Sequence, residues 1–295
     1  MSNLKWSKDR GKKWRELSAS LEAMMAPIDE PLIKRLDLPK NISKDFVVAD
    51  VACGAGGTTL QIARALSLWP QSSSPQSPSS SSAVASQVMG FDISPELIEE
   101  AQLRAAAQKL KISFQVMDVG TQCPAQAPFD RVVSRFGTMF FDDPLKAFKN
   151  LHKWLAPSGQ FVFAVWGPRE ENPWVDDINK ILAKLIPITP PEPDSPGPFR
   201  YADMNRYTEL LSHSGFKNIN FQKWEGRLAI GGGMSPHEAA RFSLSMFSVA
   251  QMLAAHTDEV RTQAFEMLSD YYASSLKEDE VVKASASVWL VSGQA

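Results

Sequence analysis

The sequence predicts an α/β protein with an open, largely parallel sheet and helices on both faces. Three short apolar runs, at residues 47–51, 87–91 and 112–117, alternate with stretches that have helical spacing. Glycines or an aspartate follow these runs, as at the carboxyl edge of an open sheet, where ligands bind. With 295 residues, 44% of them hydrophobic, the chain can bury one large core and an attached cap.

The first predicted strand, residues 47–51, leads into a glycine-rich turn at residues 54–57. Glycine lets the backbone approach a ligand closely, and a helix that begins at Thr58 or Thr59 offers N–H donors at its start. Such a turn alone also fits an ordinary connection between a strand and a helix. The acids that end the next two strands favour a cofactor cradle.

Each of the next two predicted strands ends in an aspartate. Asp92 follows the second strand, and Ser94 and Pro95 suit the N-cap and first position of the next helix, which fixes where the Asp92 carboxylate points. A carboxylate there can accept two hydrogen bonds from a ribose diol. Asp118 ends the third strand and suits an amino group such as that of adenine, although a helix cap or a solvated turn explains Asp118 equally well.

Two motifs in this region resemble those of the class I S-adenosylmethionine-dependent methyltransferases: VVADVACGAGG at residues 47–57 and GFDIS at residues 90–94. Farther along, SRFGTMFFDDP and ENPW are similar to segments of small-molecule methyltransferases of type 11. This group includes the menaquinone and ubiquinone C-methyltransferases. The resemblance covers most of residues 45–166.

The resemblance implies a Rossmann-like, seven-stranded class I methyltransferase sheet whose last strand is antiparallel, with helices on both faces. It also implies an N-terminal helical lid and a helical insertion between strands six and seven. The cofactor would be S-adenosyl-L-methionine, and Asp50 would help to organise the loop around its methionine end. The residues expected to bind it are Asp50, Ala52, Cys53, Gly54, Gly56, Asp92, Ile93, Asp118, Val119, Arg135, Phe136 and Trp14.

The same resemblance divides the chain into segments. We expect a lid at 1–44, a cofactor-binding core at 45–166 with a serine-rich loop at 70–86, a substrate-pocket segment at 167–203, the rest of the sheet at 204–230 and 282–295, and a helical cap at 231–281. In the core, a turn at 155–159 should precede a fifth strand at 161–166. In the cap, Ser235 and Glu238 form a predicted capping box, and Met246 is expected in the core rather than in the pocket.

The segment before the sheet combines basic residues with an apolar stripe at helical spacing, which includes Trp14, Leu17, Leu21 and Met24. One interpretation is a basic amphipathic helix on an anionic membrane surface. We favour a lid over the cofactor, because such a stripe is more often a core face, and we expect Trp14 to contact cofactor or substrate. The serine-rich loop at 70–86 has little apolar surface to bury and should be mobile.

Two other interpretations stay open. A nicotinamide dinucleotide fold also needs a glycine turn and an acid after its second strand. Its Gly-x-Gly-x-x-Gly pattern is not met here, because Thr59 stands where the third glycine would pack. The second alternative is a non-catalytic module that keeps the methyltransferase fold, which the intact glycines and both acids disfavour.

The composition argues against several classes of function. A net charge of −2 gives no strong field for nucleic acid, and two cysteines are too few for a disulfide framework or a structural zinc site, so no metal is expected. No signal peptide and no apolar run long enough to cross a membrane are found, so we expect a cytoplasmic protein without stable membrane insertion. A homodimer is possible on these grounds.

We therefore predict methyl transfer by in-line displacement to a small, aromatic or otherwise apolar metabolite. No Asn-Pro-Pro-Tyr or Asp-Pro-Pro-Tyr motif follows the fourth strand, which argues against methylation of nucleobase amino groups. His152, His213, His237 and His256 are interpreted as structural or surface residues. The sequence identifies no catalytic base and leaves the acceptor atom open.

Overall fold

The structure is a computed structural model, and it describes residues 11–38, 46–67, 88–189, 192 and 194–295. The serine-rich loop predicted at 70–86 lies outside the described residues. So do residues 1–10 and 39–44 of the predicted lid segment and residue 45 of the predicted core.

The sheet contains seven strands in the order β3-β2-β1-β4-β5-β8-β6. They are β1 (Val48–Val51), β2 (Val88–Asp92), β3 (Ser113–Val116), β4 (Phe129–Arg135), β5 (Leu155–Trp166), β6 (Lys217–Ala229) and β8 (Val281–Gln294). The first five are parallel, and β8 runs antiparallel to both β5 and β6. A two-residue strand, β7 (Lys277–Glu278), pairs with the start of β8. The predicted sheet and its antiparallel last strand are confirmed.

The fifth strand is longer than the sequence predicted. A turn was expected at 155–159, but β5 begins at Leu155, which pairs with Phe129 of β4 before the register shifts. Gly159 makes this irregular pairing possible, because a Cβ at Gly159 would lie 2.9 Å from the carbonyl oxygens of Ala156 and Phe129. The prediction of a turn is therefore wrong, and Gly159 belongs to a bulged strand.

Nine α-helices lie among the described residues: α1 (Gly11–Arg35), α2 (Gly57–Ser67), α3 (Pro95–Ala107), α4 (Pro144–Trp154), α5 (Pro173–Leu182), α6 (Met204–His213), α7 (Pro236–Ser245), α8 (Phe247–Ala254) and α9 (Asp258–Tyr271). Side-chain caps begin several of them, as the sequence predicted for Ser94, whose hydroxyl accepts the N–H of Leu97. Ser235 and Glu238 form the predicted capping box at the start of α7. None of the described helices is both long and apolar enough to cross a membrane.

The first helix, α1, packs one face onto the sheet domain. Leu21, Met24, Ile28 and Leu32 are buried in the main core, while Trp14 and Leu17 of the same helix are partly buried against it. Burying such a stripe excludes water from apolar side chains, which contributes on the order of 1.5–3 kcal/mol for each fully buried one. This face therefore fixes α1 against the protein core.

After β5, the chain is locked in place by Asn172, which is fully buried at the start of α5. Its Nδ2 donates to the carbonyl oxygens of Pro168 (3.0 Å) and Ser287 (3.1 Å), and its Oδ1 accepts the N–H of Ser287 (3.1 Å). The segment that leaves the sheet at β5 is thereby tied to β8.

Candidate active site

A single large cavity of about 620 Å³ lies at the carboxyl ends of the parallel strands, beneath α1 and beside the cap helix α8. Pockets that hold small ligands have volumes of about 300–1,000 Å³. Side chains from the loops after β1, β2, β3 and β4 line one end. Residues of α1, of the segment 196–198 and of α8 close the other sides.

The glycine-rich loop presents its backbone to this cavity. Ala52 and Gly54 have φ angles of +54° and +56°, in the left-handed region that favours glycine. A Cβ added at Gly54 would meet no atom within 4 Å, so the backbone there is open to a ligand. At the neighbouring loop after β4, a Cβ at Gly137 would lie 2.4 Å from the Cβ of Ala52, so the two loops need a glycine in order to touch.

The acid after β2 is held by its neighbours. Oδ2 of Asp92 accepts the N–H of Gly54 and Oδ1 accepts the N–H of Ser94, both at 2.9 Å. Burial raises the pKa of Asp92, while these two N–H donors act in the opposite direction. Each carboxylate oxygen keeps a further lone pair, so the group can still accept hydrogen bonds from a ligand hydroxyl.

The acid after β3 closes a short turn beside the cavity. The oxygens of Asp118 accept the N–H of Gly120 (3.0 Å) and the hydroxyl of Thr121 (2.7 Å). Asp118 and the buried Val119 both line the cavity, so the turn role and the ligand role that the sequence left open are compatible.

Asp50 of β1 lines the cavity and is 1% exposed. Its Oδ2 accepts the hydroxyl of Thr59 at 2.6 Å. Burial raises the pKa of Asp50 to about 7, against the opposing influence of Thr59 and of the Arg135 charge. The group therefore titrates near neutral pH.

Arg135, at the end of β4, is clasped by two carboxylates of α1. Its Nη2 lies 2.6 Å from Oε2 of Glu22, and its Nη1 lies 2.9 Å from Oδ2 of Asp29. Asp29 also accepts the hydroxyl of Thr58 at the start of α2 (2.9 Å). Burial alone would lower the pKa of Arg135, but Glu22 and Asp29 raise it. Helix α1 is thus bound by ion pairs to the end of β4 beside the cavity.

Aromatic rings line another part of the cavity wall. Phe136 and Trp166 are stacked with ring centroids 4.3 Å apart, and Trp174 meets Trp166 edge-on at 5.4 Å. Phe136 has a φ of +60°, a left-handed conformation that costs free energy in a residue with a side chain and that directs its ring here. Met246 of the cap packs against the core, as predicted, and it also lines the same cavity.

All the predicted cofactor-binding residues except Gly56 line this one cavity. Gly56 faces the other way, because a Cβ there would lie 3.0 Å from the Cβ of Ala101 and 3.2 Å from the ring of Phe114. Its role is close packing of the loop on α3 and β3 rather than contact with a ligand. Sequence reasoning missed several lining residues, among them Ser18, Glu22, Met25, Met139, Phe140, Phe141, Asp142 and Lys146. A helical spacing from Trp14 through Ser18 to Met25 was the available signal.

The remaining reactive groups do not form a second centre. Within the described part of the chain, no group of three acid, histidine or cysteine side chains could hold a metal ion. None of the four histidines lines the cavity; His152, for example, packs edge-on against Phe216. Cys53 does line it, but burial raises the pKa of its thiol well above the ordinary value, which keeps the sulfur protonated.

Comparison with known proteins agrees with this geometry. A family model described as a methyltransferase domain matches residues 42–183. The chloroplastic tocopherol O-methyltransferase of Arabidopsis thaliana is 25% identical over 225 residues, which cover 72% of this chain and 56% of that protein. Phosphoethanolamine N-methyltransferase 1 of Triticum aestivum is 27% identical over 117 residues, or 40% of this chain and 20% of that protein. The chain thus matches between a fifth and about half of the length of these relatives.

Among solved structures, the YcgJ protein of Bacillus subtilis superimposes with a TM-score of 0.53 at 18% identity, over 90% of this chain and 97% of that one. This similarity shows a common fold. The strand order and the loop geometry are those of the class I S-adenosylmethionine-dependent methyltransferase fold. Residues 42–183 carry the methyltransferase domain that the family model describes.

Proposed function

We propose that this protein transfers the methyl group of S-adenosyl-L-methionine to a small acceptor that is aromatic or otherwise apolar. The cavity supports the proposal, because one end is lined by acids and an open backbone loop and the other by aromatic rings and Met246. The relatives named for tocopherol and phosphoethanolamine are also methyltransferases of small molecules.

The residues at the first end fit the proposed cofactor. The open backbone at Gly54 and the left-handed Ala52 give a cradle for its amino acid part. Asp92 would accept hydrogen bonds from the ribose hydroxyls, and Asp118 would accept one from the adenine amino group. Trp14 and Ile93 would add apolar contacts, since both line the cavity.

When bound, S-adenosyl-L-methionine supplies a methyl group that is already activated on a positively charged sulfur. The protein therefore has to align the acceptor and exclude water rather than form a covalent intermediate. The stacked rings of Phe136 and Trp166 offer a flat apolar wall for the acceptor. Met25 of α1 and Met246, which directly precedes α8, close the cavity around it.

The set of titratable groups favours an acceptor that needs no strong base. Among the described residues, no histidine or tyrosine lines the cavity. Its acids are Glu22, Asp50, Asp92, Asp118, Asp142 and Asp143, and Lys146 lines it as well. An amine, a phenolate or a thiolate would be nucleophilic without such a group. An assay of methylated products identifies which of these acceptor atoms, nitrogen, oxygen or sulfur, is used.

Binding and turnover test the proposal. Calorimetry with S-adenosylhomocysteine and with NAD, followed by a mass-spectrometric screen of phenols, quinols and amines for products 14 mass units heavier, would separate the candidate functions. We expect tight binding of S-adenosylhomocysteine and a methylated product. Binding without any product would support the non-catalytic module, and binding of NAD alone would overturn the proposed cofactor.

A further inference from the structure

Glu22 of α1 lines the proposed cofactor end of the cavity, although it belongs to no sequence motif. Its Oε2 pairs with Arg135 at 2.6 Å, and its Oε1 lies 3.9 Å from Nη1 of Arg104 on α3. The side chain is 19% exposed, and it lines the cavity. A ligand in the cavity can therefore touch it.

The same carboxylate is pressed against the glycine-rich loop. A Cβ added at Gly57, the first residue of α2, would lie 1.6 Å from Oε2 of Glu22 and 2.2 Å from its Cδ. The three atoms nearest to that position all belong to Glu22, so the absence of a side chain at Gly57 makes room for Glu22. The lid helix and the loop that follows β1 are thus fitted to each other at this one point.

Acidic groups outnumber basic groups around Glu22. Glu22, Asp29 and Asp50 surround the buried guanidinium of Arg135, and Arg104 lies farther out. Burial raises the pKa of Asp29 and of Asp50, because a negative charge is costly in a dry site, and a bound cation would offset that cost. Glu22 also supplies the anion that the amino end of α2 favours. A cationic ligand group is what this arrangement lacks.

We propose that Glu22 binds the ammonium group at the amino acid end of the cofactor and so couples the lid helix to cofactor binding. This inference rests on the proposed function, because it takes S-adenosyl-L-methionine as the ligand. Cofactor without an amino acid part would not use Glu22. Cofactor with it would hold α1 in place through the same carboxylate that now contacts Arg135 and Gly57.

The test compares two adenosine ligands in the intact protein. S-adenosylhomocysteine carries the amino acid tail, whereas 5′-methylthioadenosine shares the adenosine and a neutral sulfur but has no ammonium group. In the Glu22→Gln variant, calorimetry should show binding of S-adenosylhomocysteine weakened about tenfold or more, with binding of methylthioadenosine unchanged. Glu30→Gln, an exposed position on the same helix, is the matched control and should change neither.

A second variant and a second measurement test the same inference independently. Gly57→Ala should displace the Glu22 carboxylate and reproduce the selective loss, while retained methylthioadenosine binding reports that the site is folded. Hydrogen exchange should show that S-adenosylhomocysteine protects residues 14–25 in the wild type but not in Glu22→Gln.

Equal loss of both ligands, no loss, or tighter binding of S-adenosylhomocysteine by Glu22→Gln would overturn the inference. The last result would mean that Glu22 competes with the carboxylate of the cofactor. If the wild type bound neither compound, the proposed function itself would fail, which is a different outcome.

Discussion

The main-chain N–H of Gly54 donates a 2.9 Å hydrogen bond to Oδ2 of Asp92. This bond joins the loop after β1 to the acid after β2, so the two chain segments that would hold the amino acid and the ribose of the cofactor form one unit. Ser94 donates to the other oxygen from the start of α3. The conformation of the glycine-rich loop therefore depends on a carboxylate that is 38 residues away in the sequence.

We expect Asp92→Ala to weaken binding of S-adenosylhomocysteine by roughly 1.5–3 kcal/mol, as for the loss of hydrogen bonds to a charged group. The N–H groups of Gly54 and Ser94 would lose their acceptor as well as the ligand. Titration calorimetry measures the change, and Asp270→Ala, at an exposed position on α9, serves as the control. An affinity equal to that of the wild type would show that Asp92 does not bind the ribose.

Asn172→Ala should lower the free energy of unfolding by roughly 1–3 kcal/mol. The substitution leaves the buried N–H of Ser287 without its acceptor and removes the Asn172 donor from the carbonyl oxygens of Pro168 and Ser287. Urea unfolding followed by circular dichroism gives the value. Asn205→Ala, at an exposed position on α6, should change it by less than about 0.5 kcal/mol. Similar values for both variants would contradict the assigned role.

The stability of the protein should depend on the ionisation of Asp50. Because its pKa rises from 3.8 to about 7 on folding, the folded protein binds a proton that the unfolded chain has released. The contribution of Asp50 is therefore complete below about pH 4 and is lost as the pH rises towards about 7.

Asp50→Asn keeps an acceptor for Thr59 but cannot ionise. Between about pH 5 and pH 8 we expect this variant to lose less stability than the wild type, by at least about 1.4 kcal/mol, the free energy of one pKa unit. Urea unfolding at several pH values tests this. Asp29 and Asp92 also have raised pKa values and remain in both proteins, so the difference between the two curves reports Asp50 alone. Parallel curves would be the contrary result.

Met246→Ala should raise the KM for the acceptor roughly tenfold and leave the affinity for S-adenosylhomocysteine unchanged, because its side chain lines the cavity from the cap. Steady-state kinetics with the acceptor from the screen, together with calorimetry, separates the two effects. Met252→Ala is the control, because Met252 lies in α8 and does not line the cavity. A fall in cofactor affinity for Met246→Ala would show that Met246 contacts the cofactor rather than the acceptor.

The strands that end at the cavity could be predicted because each is a short apolar run followed by a glycine or an aspartate. The first residues of β5 could not. Leu155 and Gly159 flank a proline and a serine, a composition typical of a turn, and only the pairing of Leu155 with Phe129 makes this segment a strand. Tertiary pairing here overrides local preference.

The site was predictable where one chain segment carries the chemistry, as in the loop of Ala52 and Gly54. It was not predictable where distant segments meet. Arg135 was predicted to bind the cofactor, and Glu22 and Asp29 clasp it from a helix more than 100 residues earlier in the chain. No spacing in the sequence encodes such a contact, and Glu22 appears in no motif.

The cap leaves the sheet where β6 ends and rejoins it where β8 begins, and these strands lie side by side from Lys217 and Gln294 to Ala229 and Lys283. Its two anchor points are therefore adjacent and fixed, whatever the intervening length. Met246 and Gln251 reach the cavity from this block, whereas the glycine loop and the acids belong to the opposite half of the sheet. Under the proposed function, rebuilding the cap would change the acceptor while the half of the sheet that holds the methyl donor stays unaltered.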